Sequence, residues 1–188
     1  LKKPEYSVRN ILRKMNVKVV GTTDDPTDDL AYHKQLKEEN FEIKVLPSFR
    51  PDKATEIEKG QGFVDWIQKL EKVVGYSISN FESLVKALKE RHTYFHEVGC
   101  RISDHGHVNF YGEDYTDFEV AAIFEKGLRV EAISVLEINK YKSAVLFELA
   151  LMNKAKSWTQ QFHVGAIRNN NVKMLNSIGP DQGYDSIG

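Results

Sequence analysis

One cysteine, Cys100, is all the chain carries, so no internal disulfide can staple it and stability must come from a buried apolar core. A lone thiol suits a reducing compartment, and the expected location is the cytoplasm. Long hydrophobic runs are missing as well: every apolar stretch is broken by Lys, Glu or Asn before it reaches the length of a membrane span. Charge of one sign is not in excess, with 26 Lys plus Arg against 27 Asp plus Glu. No net field therefore favours nucleic acid or an anionic membrane, and recognition of a charged ligand must be local. No low-complexity tract and no repeat by residue identity occurs. Leu1-Lys2-Lys3-Pro4 has no initiator Met and no apolar segment behind it, so these residues are not expected to be a signal peptide. The stretch from Gly179 to Gly188 is loop-like. Both ends are expected to be cut.

What is present is a chain of 188 residues, 41% hydrophobic and 28% charged, enough for one sizeable core. Its pattern is a repeated succession of strand, polar turn and helix. Val8, Ile11, Leu12 and Met15 have helical spacing behind Ser7, a cap, and Val17 to Gly21 reads as a valine-rich strand. Thr22-Thr23-Asp24-Asp25-Pro26 follows, then a helix over Thr27 to Glu39 with acids in its first turn. Glu42 to Pro47 is the second strand, delivering Ser48-Phe49-Arg50-Pro51-Asp52. Two helices come next, one with Phe63, Trp66, Ile67, Leu70 and Val74 on a face, the other with Phe81, Leu84, Leu88 and Phe95. Ser79 and Glu82 have the spacing of a capping box. Gly99 to Ser103 is a third strand leading into Asp104-His105-Gly106-His107, whose central glycine favours a loop. Helices over Asp117 to Glu125 and Ser134 to Lys156 precede a fourth strand, Thr159 to Gly165.

Strands alternating with helices predict an α/β fold with a parallel sheet, because each parallel return needs a crossover. Open doubly wound sheets and closed barrels both fit. The barrel is favoured because every strand ends in chemically capable residues, whereas an open sheet gathers its site at one switch point. The expectation is the central part of one (β/α)8 barrel of the TIM type over 1–188, with helical insertions near 55–98 and 115–157.

Polar residues at the ends of successive parallel strands converge on one mouth. Arg50 can bind a carboxylate bidentately, with Pro51 fixing the turn behind it, or it can simply pair with Asp52. Asp104, His105 and His107 offer an acid and two imidazoles, for metal ligation or for hydrogen bonding and acid–base work at the mouth. His163 and Arg168 bracket a turn opening onto Asn169, Asn170 and Asn171, which suits an anionic, hydroxyl-rich ligand or a tight loop. The Thr22–Pro26 turn reads as capping or as mouth chemistry. His33, His92 and His96 lie on predicted helices and are assigned no chemistry, and Trp66 and Trp158 read as packing.

At these turns the chain resembles the uronate isomerase family. The resemblance is carried by Val20-Gly21-Thr22-Thr23-Asp24-Asp25-Pro26, by Leu46-Pro47-Ser48-Phe49-Arg50-Pro51-Asp52-Lys53 and by Gly99-Cys100-Arg101-Ile102-Ser103-Asp104-His105-Gly106. It continues through Phe162-His163-Val164-Gly165-Ala166-Ile167-Arg168-Asn169-Asn170-Asn171 and the segment from Ile178 to Gly188, in order along nearly the whole chain. It implies a metal-dependent barrel of the amidohydrolase superfamily that interconverts glucuronate with fructuronate and galacturonate with tagaturonate. It also implies a divalent metal, commonly zinc, whose His-x-His lies before Leu1 and whose aspartate lies after Gly188, leaving no metal ligand within this chain. Arg50, Arg168 and Asp104 are then expected to bind substrate, and His105 and His163 to be catalytic. His107 stands where a less polar residue is expected. The expected partners are a small-molecule hexuronate and further copies of the chain, with no nucleic acid and no membrane. Two alternatives stay open: a hydrolase of the same superfamily, and a non-catalytic sugar-acid binding piece.

Overall fold

A computed structural model describes residues 3–180 and 182–187; Leu1, Lys2, Asp181 and Gly188, which fall in the two segments read as cut ends, lie outside the described residues. The elements run α1 (Val8–Lys14), β1 (Val19–Gly21), α2 (Ala31–Glu38), β2 (Lys44–Leu46), α3 (Asp52–Thr55), α4 (Gln61–Val74), α5 (Phe81–Val98) and β3 (Ile102–His107). Then come α6 (Asp117–Leu128), α7 (Val135–Ala155), β4 (Thr159–Val164), β5 (Ala166–Ile167), α8 (Val172–Ile178) and β6 (Ser186–Ile187). No helix among the described residues is long and apolar enough to cross a membrane.

β1 pairs in parallel with β2, and β3 with β4. Phe49 joins the two pairs, bridging in parallel to Asp24 on one side and to Ser103 on the other. Its N–H donates to the Ile102 carbonyl at 3.1 Å and its own carbonyl accepts from the Asp104 N–H at 3.0 Å. Strands therefore follow one another in space as they do in sequence, each crossover being helical, as the alternation predicts. β5 and β6 form a separate antiparallel ribbon.

Helices pack behind this arc on the faces their spacing predicts. Phe63, Trp66, Ile67 and Leu70 of α4 are buried, as are Leu84, Leu88 and Phe95 of α5. Phe49, fully buried, meets Phe95 edge-on at 5.0 Å between ring centroids and His92 at 5.5 Å. A second aromatic group holds α4, α6 and α7 together: Phe63, Phe124 and Tyr141, with the Tyr141 hydroxyl donating to the Ala54 carbonyl at 2.8 Å. Burial pushes the Tyr141 phenol well above its usual range, so it stays a donor.

Three expectations are corrected. The second helix starts at Ala31, not Thr27, because Asp28 and Asp29 turn their carboxylates onto the N–H groups of Leu30 and Ala31 at 2.6 and 2.9 Å, and Leu30 takes a left-handed φ of 53°. The acids sit in that turn, not in the helix. The α5 capping box is made by Asn80 and Ser83, not Ser79 and Glu82; the amide of Asn80 accepts from Ser83 N–H at 2.8 Å and Ser83 Oγ accepts from Asn80 N–H at 3.1 Å. The third strand begins at Ile102 and runs through His107, so Asp104-His105-Gly106-His107 is strand and not loop. The helix over Val8–Lys14 is as its spacing predicts, with Ile11 and Leu12 half-buried while Val8 is 75% exposed and Met15, just past the helix, 71%. Ser7 does cap α1, and Ser134 caps α7 in a box with Glu137.

Gly127 on α6 lies against Ile57, where a Cβ would come within 2.6 Å of Cγ1 and 2.7 Å of Cδ1. Gly127→Ala in the intact protein is expected to cost about 1–3 kcal/mol by overpacking. The urea midpoint should fall at unchanged slope, and adding Ile57→Val should recover part of the loss. An unchanged midpoint would show that α6 yields freely at this contact.

Candidate active site

β3 carries its polar side chains on two faces, as a period of two demands. Asp104 shares one face with Gly106, and register sets it beside Gln161 of β4, while Gly106 lies beside His163. On this face Asp104 is the hub. Its Oδ2 accepts from Arg50 Nη1 at 3.1 Å, and its Oδ1 lies 2.8 Å from His163 Nδ1 and 3.1 Å from Gln161 Nε2. Arg50 arrives from the turn after β2, lying across Gly106, where any Cβ would overlap its guanidinium. A residue with no side chain is what lets the cation cross the strand. Arg50 Nε donates to Asp52 Oδ2 at 2.8 Å, so the pairing with Asp52 foreseen in the sequence is present together with the pairing to Asp104. The Nη2 corner of the guanidinium has no hydrogen-bond partner among the described residues. His163 is half exposed while Asp104 is buried, so the imidazole faces outward and the carboxylate holds it from behind.

The other face of β3 presents Ser103, His105 and His107 to the helices. Asn153 of α7 donates to Ser103 Oγ at 2.8 Å, His92 Nε2 bonds Asn153 Oδ1 at 3.1 Å, and Ser103 Oγ bonds His105 Nε2 at 3.0 Å. His105 is fully buried and stacks on Phe162 at 5.1 Å. Burial lowers its pKa to about 4 and lowers that of His107, so both rings are neutral near pH 7. Asp52 straddles the strand: its Oδ2 takes Arg50 Nε and the Gly106 N–H at 3.0 Å, and its Oδ1 points toward His105 Nδ1 at 4.0 Å. One ligand atom each of Asp52, His105 and His107 lies within 4.8 Å of the others. The sequence assigns no metal ligand within the chain; the fold gathers these three because β3 continues as strand to His107.

Of the expected site residues, the structure brings together Arg50, Asp104 and His163. His105 sits behind the strand, its Nδ1 4.0 Å from Asp52 Oδ1 and without a hydrogen bond to that group among the described residues. Arg168 lies apart, pairing with Asp185 at 2.5 Å on the β5–β6 ribbon. The asparagine run is a turn, with Asn169 at a left-handed φ of 55° and Asn171 capping α8. Gln161, Asn153 and Ser103 were not singled out from sequence. Gln161 carried a signal, since it stands two positions before His163 on one strand.

The whole chain, residues 1–188, matches the family model described as glucuronate isomerase. The chain belongs to that family. It is 53% identical over 188 residues to the uronate isomerase of Bacteroides thetaiotaomicron and 46% identical over 186 residues to that of Cellvibrio japonicus. All of this chain is covered in the first match and 98% in the second, against 40% of each relative, so the chain spans well under half the length of these proteins. Among solved structures, the uronate isomerase of Thermotoga maritima superposes with a TM-score of 0.91 at 31% identity, covering 98% of this chain and 41% of that one. The glucuronate isomerase of Caulobacter crescentus gives 0.87 at 26% identity over 100% of this chain and 39% of its own. The α/β arrangement is therefore shared with uronate isomerases.

The buried His92, whose pKa burial lowers to about 4, gives a pH test. An unfolded His titrates near its ordinary value of about 6.5, so the unfolded state binds more protons between the two values. Its contribution to stability is full above pH 6.5 and is lost as pH falls toward 4. The urea midpoint of the intact protein should drop across this window, and His92→Gln, which keeps a donor for Asn153, should flatten the slope.

Proposed function

We propose that this chain is part of an enzyme that isomerises hexuronates, interconverting D-glucuronate with D-fructuronate and D-galacturonate with D-tagaturonate. The observation carrying the proposal is the Arg50–Asp104–His163 group at the carboxyl ends of consecutive parallel strands, in a chain matched over its whole length by the family. Sequential strand order and helical crossovers support a (β/α)8 barrel, of which 1–188 is the central part with insertions near 55–98 and 115–157.

In this reading the sugar-acid carboxylate meets the Nη2 corner of Arg50, whose other nitrogens are fixed by Asp52 and Asp104. His163, exposed at the same group and oriented by Asp104, handles the migrating proton. The C2–H proton leaves as an enediol forms, a proton returns to C1, and the hydroxyl proton of O2 passes to O1; the reaction is redox-neutral within one molecule. Gln161 steadies His163 through its amide. Arg168, paired to Asp185, serves substrate only when that ribbon lies beside the mouth. His105, bonded to Ser103 and not to Asp52, stands behind the strand and takes no direct part in this reading. A divalent metal such as zinc would stabilise negative charge on the substrate oxygens, with its principal ligands contributed from outside these residues. We place the enzyme in the cytoplasm as a homo-oligomer, acting on a free small-molecule sugar acid.

Arg50→Met in the intact protein is expected to raise KM for glucuronate by roughly 10–100-fold, the worth of a charge-assisted hydrogen bond to a carboxylate. His163→Gln should act mainly on kcat. Intact protein supplied with divalent metal and converting neither hexuronate to a ketose acid would sink the proposal.

A further inference from the structure

The strongest unclaimed feature is the space between Asp52, His105 and His107. Three buried polar atoms meet no partner there: Asp52 Oδ1, His105 Nδ1 and His107 Nε2. Orphaned buried polar atoms are uncommon one at a time, and these belong to the three residues whose ligand atoms cluster within 4.8 Å. We propose that Asp52, His105 and His107 form a binding site for a divalent first-row transition cation, zinc by the chemistry of the set, which clamps the turn after β2 onto the end of β3.

Two imidazoles and one carboxylate are a borderline N/O donor set that suits zinc and its neighbours far better than calcium or magnesium. Ligands about 2.0–2.1 Å from a tetrahedral ion stand roughly 3.4 Å from one another. The 4.0 Å between Asp52 Oδ1 and His105 Nδ1 must therefore close by only about half an ångström, within reach of rotamer adjustment. No direct hydrogen bond is possible at that distance, so the gap asks for an inserted atom. The supporting partners are in place. Ser103 Oγ can accept the Nε2 proton of His105, which leaves the Nδ1 lone pair toward the cluster, the usual way a ligating imidazole is oriented. Asp52 Oδ2 is held by Arg50 Nε and the Gly106 N–H, leaving Oδ1 for the ion. The neighbouring cations already have their own carboxylates: Lys142 pairs with Glu58 at 2.5 Å, and Arg50 with Asp52 and Asp104. Bound there, the ion would fix the carboxylate on which Arg50 rests, so it acts by positioning and not by touching substrate. The site follows from this chain's geometry alone and is independent of the isomerase reading.

The test is cobalt titration of the metal-stripped intact protein, comparing wild type with His107→Leu by visible absorption and by metal content after desalting. Wild type should retain one equivalent more than His107→Leu, with ligand-field bands of a low-coordinate N/O site that the variant lacks. Its melting temperature should rise with added zinc by more than the variant's. Equal stoichiometry, spectra and melting shifts in the two proteins would overturn the proposal and leave a buried water in the gap. His107→Asn gives the same comparison should the leucine variant fail to fold. Because the readouts are metal content and spectra, failure of the isomerase activity leaves them interpretable, and the reverse holds.

Discussion

Phe49 is the residue on which both halves of the sheet depend. Its backbone is a single rung on the chain leaving β2, its N–H and carbonyl both bonded to β3 while Ser48 and Arg50 beside it bond Asp24, and its ring fills the space among His92, Phe95 and Trp158. A rung this short holds only if its side chain is immobilised, because one pair of backbone bonds contributes little net stability in competition with water. The buried aromatic contacts supply that immobility. The consequence reaches the site at once, since Ser48 and Arg50 flank Phe49. Ser48 N–H donates to Asp24 Oδ2 at 3.2 Å and Arg50 N–H to the Asp24 carbonyl at 2.9 Å. Packing on the helix side thus sets the direction in which Arg50 leaves the sheet.

The turn after β1 is fixed by the same economy of long-range contacts. Arg91 of α5 donates from Nε to the Pro26 carbonyl and from Nη2 to the Asp28 carbonyl, both at 2.7 Å. Trp66 of α4 donates its indole N–H to Asp25 Oδ1 at 3.0 Å, and Lys53 pairs with the same carboxylate at 3.2 Å. Burial opposes ionisation of Asp25, but bonds from Thr27 and Trp66 and the charge of Lys53 outweigh it and hold its pKa below the usual carboxylate value. Thr22 ties the turn to α2, its hydroxyl 2.7 Å from His33 Nε2 and 2.6 Å from Asp24 Oδ2. The side chains of this turn bond one another and distant elements, and none of them caps α2, which has no side-chain cap. His33, like His92, is therefore a structural imidazole bonded to its neighbours.

How far the sequence could be read varied with the range of the interactions involved. Faces of α4 and α5 were legible because 3.6-residue periodicity is local and because Phe63, Trp66, Leu84 and Phe95 leave little choice of burial. Arg50, Asp104 and His163 were legible one by one through the family resemblance and through their places after strands. Their convergence was not, since Asp104 meets Arg50 and His163 across 54 and 59 positions of chain, and only strand register brings them together. The extent of β3 was misread for a related reason. Asp, His and Gly are poor strand formers alone, and they adopt extended backbone here because β4 and Phe49 offer partners for both edges. The start of α2 was misplaced because Asp28 and Asp29 satisfy backbone donors outside a helix as readily as inside one.

Gly106 shows why the two faces of β3 are not independent. Any side chain there would occupy the position of the Arg50 guanidinium, and displacing that cation would free Asp52 Oδ2 from its charged partner. Asp52 would then be left with the Gly106 N–H alone on that oxygen, while its Oδ1 stays unmatched toward His105. A carboxylate with one charged partner removed and no compensating cation is costly where water is partly excluded. The glycine thus keeps Arg50 and the carboxylate of Asp52 paired as one unit. That pairing rests on an absent Cβ, and the same small step of backbone passes the constraint from one side of the strand to the other.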